Sequence, residues 1–412
     1  MKTHLYSSLV EKWVGWLFST RNALTIFCIA LFIVYALTPL LLWATTPVDD
    51  TFAQLALLTL CSIGAMLIGS QIPLFDSRFR QNETRLYIPS IFFHLPIWSI
   101  FIIFVIVTLT TAPSIPIIDA ILGTPPDELS QRRGDFLKTR TGPEAALIYI
   151  STIFSSALIP YSIVLLFLNN SRYRYASLLF FLAFSVSFLQ KVLFLNAILP
   201  LITYFALAHK ISKKMVFTTA FAATGLVILL TLATTSNSND YSSQTSLPIY
   251  FTSTYLPTSS LDYLIWRAVA VPTFTATDTL TVFNSLFNET YLLGSTSSLL
   301  STIFGLERVN LERHVFEHQF GSWNEVANAN AVFITDAYAN FGATGIIIYS
   351  LIAGQAFRWF RLSKDIAFKS LWPVFAFILF SASLIGAIFS NGFLLVFFIG
   401  IFLKIGRNRL YS

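Results

Sequence analysis

The sequence carries little charge. Asp, Glu, Lys and Arg make up 11% of its 412 residues, where a soluble globular domain carries about a quarter. With 55% hydrophobic residues beside that shortfall, an ordinary soluble protein is excluded and a membrane protein is indicated. Cysteine is nearly missing as well. The two present, Cys28 and Cys61, lie inside apolar runs, which excludes a disulfide framework or a cysteine metal centre and leaves them as small hydrophobes. No internal repeat stands out. The first apolar run is long enough to span and lacks an A-x-A exit, so it reads as a span and not as a cleavable signal peptide.

What is present is apolar and aromatic: 41 Phe and 16% aromatics suit lipid-facing helices with interfacial belts. A span needs roughly 20 apolar residues. The hydropathy pattern predicts an all-α, polytopic fold of about ten spans, at 23–44, 52–72, 88–111, 144–168, 175–190, 192–208, 216–234, 332–357, 370–389 and 391–404. The first four and the eighth are the clearest. The fifth and sixth are short and divided only by Gln190-Lys191, which leaves a tight hairpin and a single broken element both open. The chain then divides into 1–234 (seven spans and an outer loop at 112–143), a large loop at 235–331, and 332–412 (three spans).

Orientation follows from the basic residues, which concentrate on cytoplasmic segments. With the N-terminus inside, those segments hold 18 of the 26 Lys and Arg but only 4 of the 20 Asp and Glu. Both termini are then cytoplasmic, both long loops lie outside, and the formal charge of +6 is an orientation signal that does not imply nucleic acid. In the large loop, 234–240 reads as a flexible exit from span seven. The stretch 260–286 is amphipathic and predicts a helix lying at the interface, broken at Pro272.

Eight basic residues face outward: Arg132, Arg133, Lys138, Arg140, Lys191, Arg267, Arg308 and Arg313. Selection works against cations there, so those retained invite an anionic ligand, with Arg offering a planar fork of donors to phosphate. For Arg308 and Arg313 the structural alternative is a surface pair with Glu307 or Glu312. His314 and His318 share a helical face if 311–319 is helical. HVFEH is not HExxH, and no third strong ligand is obvious beyond Glu325 or Asp336, so a general base is the better reading of the pair than a metal site, with two solvated loop histidines as the structural alternative. Asp336 starts span eight, where a carboxylate is costly unless it faces protein or water. That makes it a pocket-lining candidate and a candidate base. Asn328 and Tyr338 flank it, and Gly342 with Gly345 allow close helix packing. His94, inside span three, reads as a packed or hydrogen-bonded residue.

A hairpin Lys191 opening FLQKVLFLNAILPLITYFALAHK, a large loop after span seven and a span starting ANANAVFITDAYANFGATG together resemble the Wzy-type O-antigen and exopolysaccharide repeat-unit polymerases. The resemblance covers the architecture of most of the chain plus those two patches. The R-x10-G pattern described in such families is not met, since Arg132 to Gly142 leaves nine intervening residues and Arg313 to Gly321 leaves seven. The resemblance implies a GT-C-like glycosyltransferase of the bacterial inner membrane. It would join undecaprenyl-diphosphate-linked oligosaccharides at the periplasmic face without a metal or other cofactor, with a chain-length regulator as a conceivable partner. Lys191, Arg267, Arg308 and Arg313 would hold the diphosphate, Arg133 and Arg140 the second lipid-linked unit, and His314 or His318 would serve as base. Trp266 and Trp323 would stack on sugars, and replacing Arg267 or Lys191 by Ala is expected to abolish polymerisation. The rival readings are an O-antigen ligase of similar topology, a polysaccharide transporter or flippase, and a membrane scaffold without chemistry.

Overall fold

The computed structural model describes residues 13–80, 85–137, 139–208, 247–257, 259–322 and 327–406. The chain is mostly helical. Among the described residues, five helices are long and apolar enough to cross a membrane: α1 (Ala23–Thr45), α2 (Thr51–Gly69), α3 (Ser90–Thr111), α4 (Gly142–Leu168) and, late in the chain, Phe333–Leu362. They fall on the five spans that hydropathy marks as clearest. Shorter apolar helices are α5 (Arg174–Ser187), α6 (Lys191–Leu207), Trp372–Ser381 and Phe393–Phe402. The expected span 216–234 lies outside the described residues.

The α5–α6 connection is a tight hairpin. Leu189 takes a left-handed φ of 52° and Gln190 is extended, after which Lys191 starts α6. The connection between α3 and α4 folds as Pro116–Ile121 and Pro126–Asp135. The large loop supplies Ser260–Ile265, α7 (Val271–Leu286), Ser298–Phe304 and α8 (Leu311–Phe320). It leads into α9 (Phe333–Leu362). The all-α expectation needs one addition, a parallel pair of strands, β1 (Leu86–Pro89) and β2 (Leu403–Gly406).

Prolines explain an irregularity shared by three helices. Wide π-helical turns at Phe32–Leu37, Phe154–Leu158 and Trp266–Ala270 immediately precede Pro39, Pro160 and Pro272. A proline inside a helix removes one ladder N–H and drives its ring toward the carbonyl four residues back; a widened turn relieves both. The helix around Pro272 is therefore continued through the proline, not broken at it.

Nor does that helix lie on the surface. Most of α7 is buried, and Thr273 donates to the Val34 carbonyl, midway along α1, at 2.9 Å. A helix this rich in threonine tolerates burial because its hydroxyls turn back onto their own backbone. Thr277 bonds to Phe274 O at 2.9 Å, Thr279 to Thr275 O at 2.7 Å and Thr281 to Thr277 O at 3.2 Å. The large loop thus sends an element into the helical bundle.

The central seam is α2 against α9. Ser62 and Ser350 share a 2.7 Å hydrogen bond. A Cβ on Gly69 would sit 2.3 Å from Leu351 O, and one on Gly354 2.1 Å from Met66 O, so only glycine permits this approach. One end of the seam is locked by Arg358, whose Nε and Nη2 reach the Asp76 carboxylate at 2.9 and 2.5 Å while Nη1 donates to Ser70 O. Fork-to-carboxylate geometry of this kind gives direction as well as energy.

Candidate functional site

The start of α9 is a short helix in its own right. Gly342 has φ 63° and ψ −151°, which separates the Phe333–Phe341 turns from the long remainder. Only glycine fits, because a Cβ there would meet the Tyr291 ring at 2.7 Å. The carbonyls freed by the break are taken up by the large loop: Leu292 N donates to Ala339 O and Leu293 N to Asn340 O, at 3.0 and 2.9 Å. Gly342 therefore breaks the helix, a different role from the close packing expected of it. Gly345 is a packing glycine, with a Cβ position 2.4 Å from Ala337 O.

The ninth apolar stretch is interrupted too. Trp372–Ser381 ends at an extended Ala382, and a π turn follows at Gly386–Ser390. Among the first turns of α9, the Gly386–Ser390 turn, α7, α8 and the N-terminal half of α4 lies a cavity of about 330 Å³. Its polar lining includes Asp336, Arg308, Glu312, Asn310, Thr279 and Thr296.

Asp336 is held by the loop and by its own helix. Thr296 Oγ1 donates to Asp336 Oδ1 at 2.8 Å, and Asn340 Nδ2 reaches the same oxygen at 3.1 Å. Asn340 is oriented in turn by Gly294 N, which donates to its Oδ1 at 2.9 Å. Among the described residues Asp336 Oδ2 has no hydrogen-bond partner. Arg308 is exposed and forms no ion pair within the same set. The pairing foreseen with Glu307 or Glu312 is not seen there.

A second cavity, about 370 Å³, touches another face of α7. It is lined by Asp49, Asp278, His318 and Gln319 together with apolar residues of the α1–α2 connection. Gln319 Nε2 donates to Asp278 Oδ2 at 2.7 Å. Burial pushes the Asp278 carboxyl above the usual range; the Gln319 hydrogen bond and His318 act against this, and Asp49 adds to it. Residues 278 and 279 point roughly 100° apart on a helix, so α7 offers Asp278 to one cavity and Thr279 to the other.

The predicted residues therefore divide. Arg308 and Asp336 share the first cavity, while His318 lines the second. His314 Nδ1 lies 3.6 Å from Glu317 and its ring packs on Phe287. Arg313 is held by Glu317 at 2.8 Å with its guanidinium over Phe316. Arg267 is exposed in the Trp266–Ala270 turn and lines neither cavity, and the same holds for the exposed Asn328. Tyr338 packs edge-on against Phe283 and Tyr291. For Lys191 the backbone begins α6, and its side chain, like Lys138 and Trp323, lies outside the described residues.

In the α3–α4 connection Arg140 is committed to the protein. It donates to Phe136 O, Thr108 O and Glu144 at 2.9, 3.0 and 2.9 Å, and also bonds Thr111. With its side chain 5% exposed, it staples this loop to the end of α3 and does not present itself to a ligand. Arg132 pairs with Asp119 and Glu128. Arg133 is half-buried; burial lowers its pKa and the nearby Tyr263 opposes that shift. The expected sugar-stacking role of Trp266 is also corrected. That ring is buried among Tyr255, Tyr263 and Phe274 and donates to Tyr250 O at 3.0 Å.

Sequence reasoning missed Thr296, Thr279 and Asn340, and took Glu312 only as a surface partner of Arg308 or Arg313. Asn340 had a signal, since it stands one helical turn after Asp336. No protein family, no curated protein and no solved structure matches the chain.

Proposed function

We propose that the chain is a membrane glycosyltransferase that polymerises polyprenyl-diphosphate-linked oligosaccharides at the outer face of a bacterial inner membrane. One observation carries the reading: a carboxylate with one oxygen fixed and the other unpartnered among the described residues shares a hydroxyl-rich cavity with Arg308, beside two interrupted apolar helices. Sugars are bound by such hydroxyl, amide and carboxylate groups. Asp336 takes the proton of the attacking hydroxyl as its oxygen bonds to the anomeric carbon. The bond from that carbon to the diphosphate oxygen breaks, and the leaving diphosphate keeps the electron pair beside Arg308. His318, in the other cavity, does not serve this step.

The test is complementation of a deletion strain with Arg308→Gln and Asp336→Asn, read as a glycan ladder at matched membrane levels. Loss of the ladder with single repeat units still attached supports polymerisation. Loss of all attached glycan assigns the ligase reading, and a full ladder from both variants overturns the site. The break at Gly342 favours one further reading, because discontinuous membrane helices also mark transporters. Uptake or flipping of a lipid-linked oligosaccharide by protein reconstituted in vesicles, abolished by Asp336→Asn, would assign transport instead.

A further inference from the structure

The largest of the described cavities has no part in that chemistry. It is a groove of about 900 Å³ between α3 and α5, open along its side. Its wall is apolar, formed by Leu95, Trp98, Ile102 and Phe180. Apolar side chains facing lipid are ordinary; the polar end of the groove is not. There the α4–α5 connection brings Arg172 and Asn169 against the first turns of α3. By the basic-residue count this is the cytoplasmic end.

Three polar side chains meet at that end. The Arg172 guanidinium lies over the Tyr173 ring at 4.7 Å, bonds the Tyr173 hydroxyl and has no carboxylate partner among the described residues. Asn169 Nδ2 is buried and unpartnered among the same residues, and so is His94 Nε2. Trp98 Nε1 donates to Ser162 Oγ at 2.9 Å, and Ser162 Oγ lies 2.7 Å from His94 Nδ1. If Ser162 spends its single proton on Nδ1, the neutral ring carries its own hydrogen on Nε2, an unpartnered donor among the described residues on a residue that lines the groove. His94 stands one turn inside α3, and Ile102 is about 18 Å along from Ser90 at 1.5 Å per residue.

We propose that the groove holds one anionic glycerophospholipid of the inner leaflet. Its phosphate lies by Arg172, its ester oxygens accept from Asn169 and His94, and one acyl chain runs along Trp98 toward Ile102 and Phe180. The site is separate from the outer cavity and independent of the glycosyltransferase reading.

Native mass spectrometry of the delipidated full chain, titrated with phosphatidylglycerol or phosphatidylcholine, tests this. One phosphatidylglycerol is expected to bind with roughly fivefold preference, the effect of a single basic residue near an anionic headgroup. Arg172→Gln should erase the preference, and Ala176→Trp, which fills the groove, should remove binding of both lipids. His94→Phe should weaken both equally and covers the case in which the Trp variant fails to fold. Equal binding of the two lipids by the unaltered chain, or a preference that survives Arg172→Gln, overturns the proposal. So does tenfold tighter binding of a polyprenyl monophosphate, which would assign the groove to a different lipid.

Discussion

Thr296 donates to Asp336 Oδ1 at 2.8 Å, and this bond ties the large loop to the first turns of α9. The tie holds one carboxylate oxygen still. Losing a hydrogen bond to a charged group costs about 1.5–3 kcal/mol. Thr296→Val is therefore expected to lower the thermal midpoint in detergent and to reduce ladder length, while Thr296→Ser retains both. A Val variant with wild-type midpoint and ladder would show that the bond is dispensable.

The break in α9 needs glycine at 342. Gly342→Ala places a Cβ against Tyr291 and a left-handed φ on an L residue, costing at least about 1–2 kcal/mol from conformation alone. Gly64→Ala is the contrast, because nothing lies within 4 Å of its Cβ position. In mid-helix that change is expected to stabilise by up to about 1 kcal/mol. Paired thermal melts with shifts of opposite sign are the expected result.

Arg358 and Asp76 form the lock at the other end of the seam, with side chains 11% and 16% exposed. Arg358→Gln removes the fork-to-carboxylate pair. The expected loss is at the lower end of the roughly 3–5 kcal/mol of a broken buried pair, since both side chains keep some exposure. Asp76→Asn together with Arg358→Gln should recover part of it; additive losses in a double-mutant cycle would deny the coupling.

Asp278 gives a pH dependence. Its folded-state pKa is raised, mainly by burial, in a cavity it shares with His318, Gln319 and Asp49. The folded chain therefore binds this proton more tightly than the unfolded chain does. That contribution to stability is complete below the unfolded carboxylate value of about 3.9 and fades as pH rises through the folded value. Asp278→Asn is expected to raise the midpoint at pH 7 and to flatten the stabilisation seen on acidification. Parallel pH profiles for the two proteins would contradict the assignment.

Much of the scaffold was legible because hydropathy and length report the long spans directly, as at Ala23–Thr45 and Ser90–Thr111. What hydropathy does not report is which neighbour satisfies a polar group. The threonines of α7 look amphipathic in sequence, yet their hydroxyls are satisfied within the helix, and so it is buried. Gly342 and Gly345 look alike in sequence, but one breaks the helix and the other packs it. Arg140 and Arg308 were equivalent outward cations, and only the fold reveals that the first is spent on Thr108, Phe136 and Glu144. Asp336 was legible because a carboxylate at the start of an apolar helix requires a polar surrounding.

The most direct measurement is the product ladder made by purified, reconstituted protein from a polyprenyl-diphosphate-linked repeat unit, comparing the wild type, Asp336→Asn and Arg267→Ala. Asp336→Asn should abolish the ladder without loss of folded protein. Arg267→Ala, outside the cavity, should leave the ladder intact. A full ladder from Asp336→Asn would contradict the account at its centre.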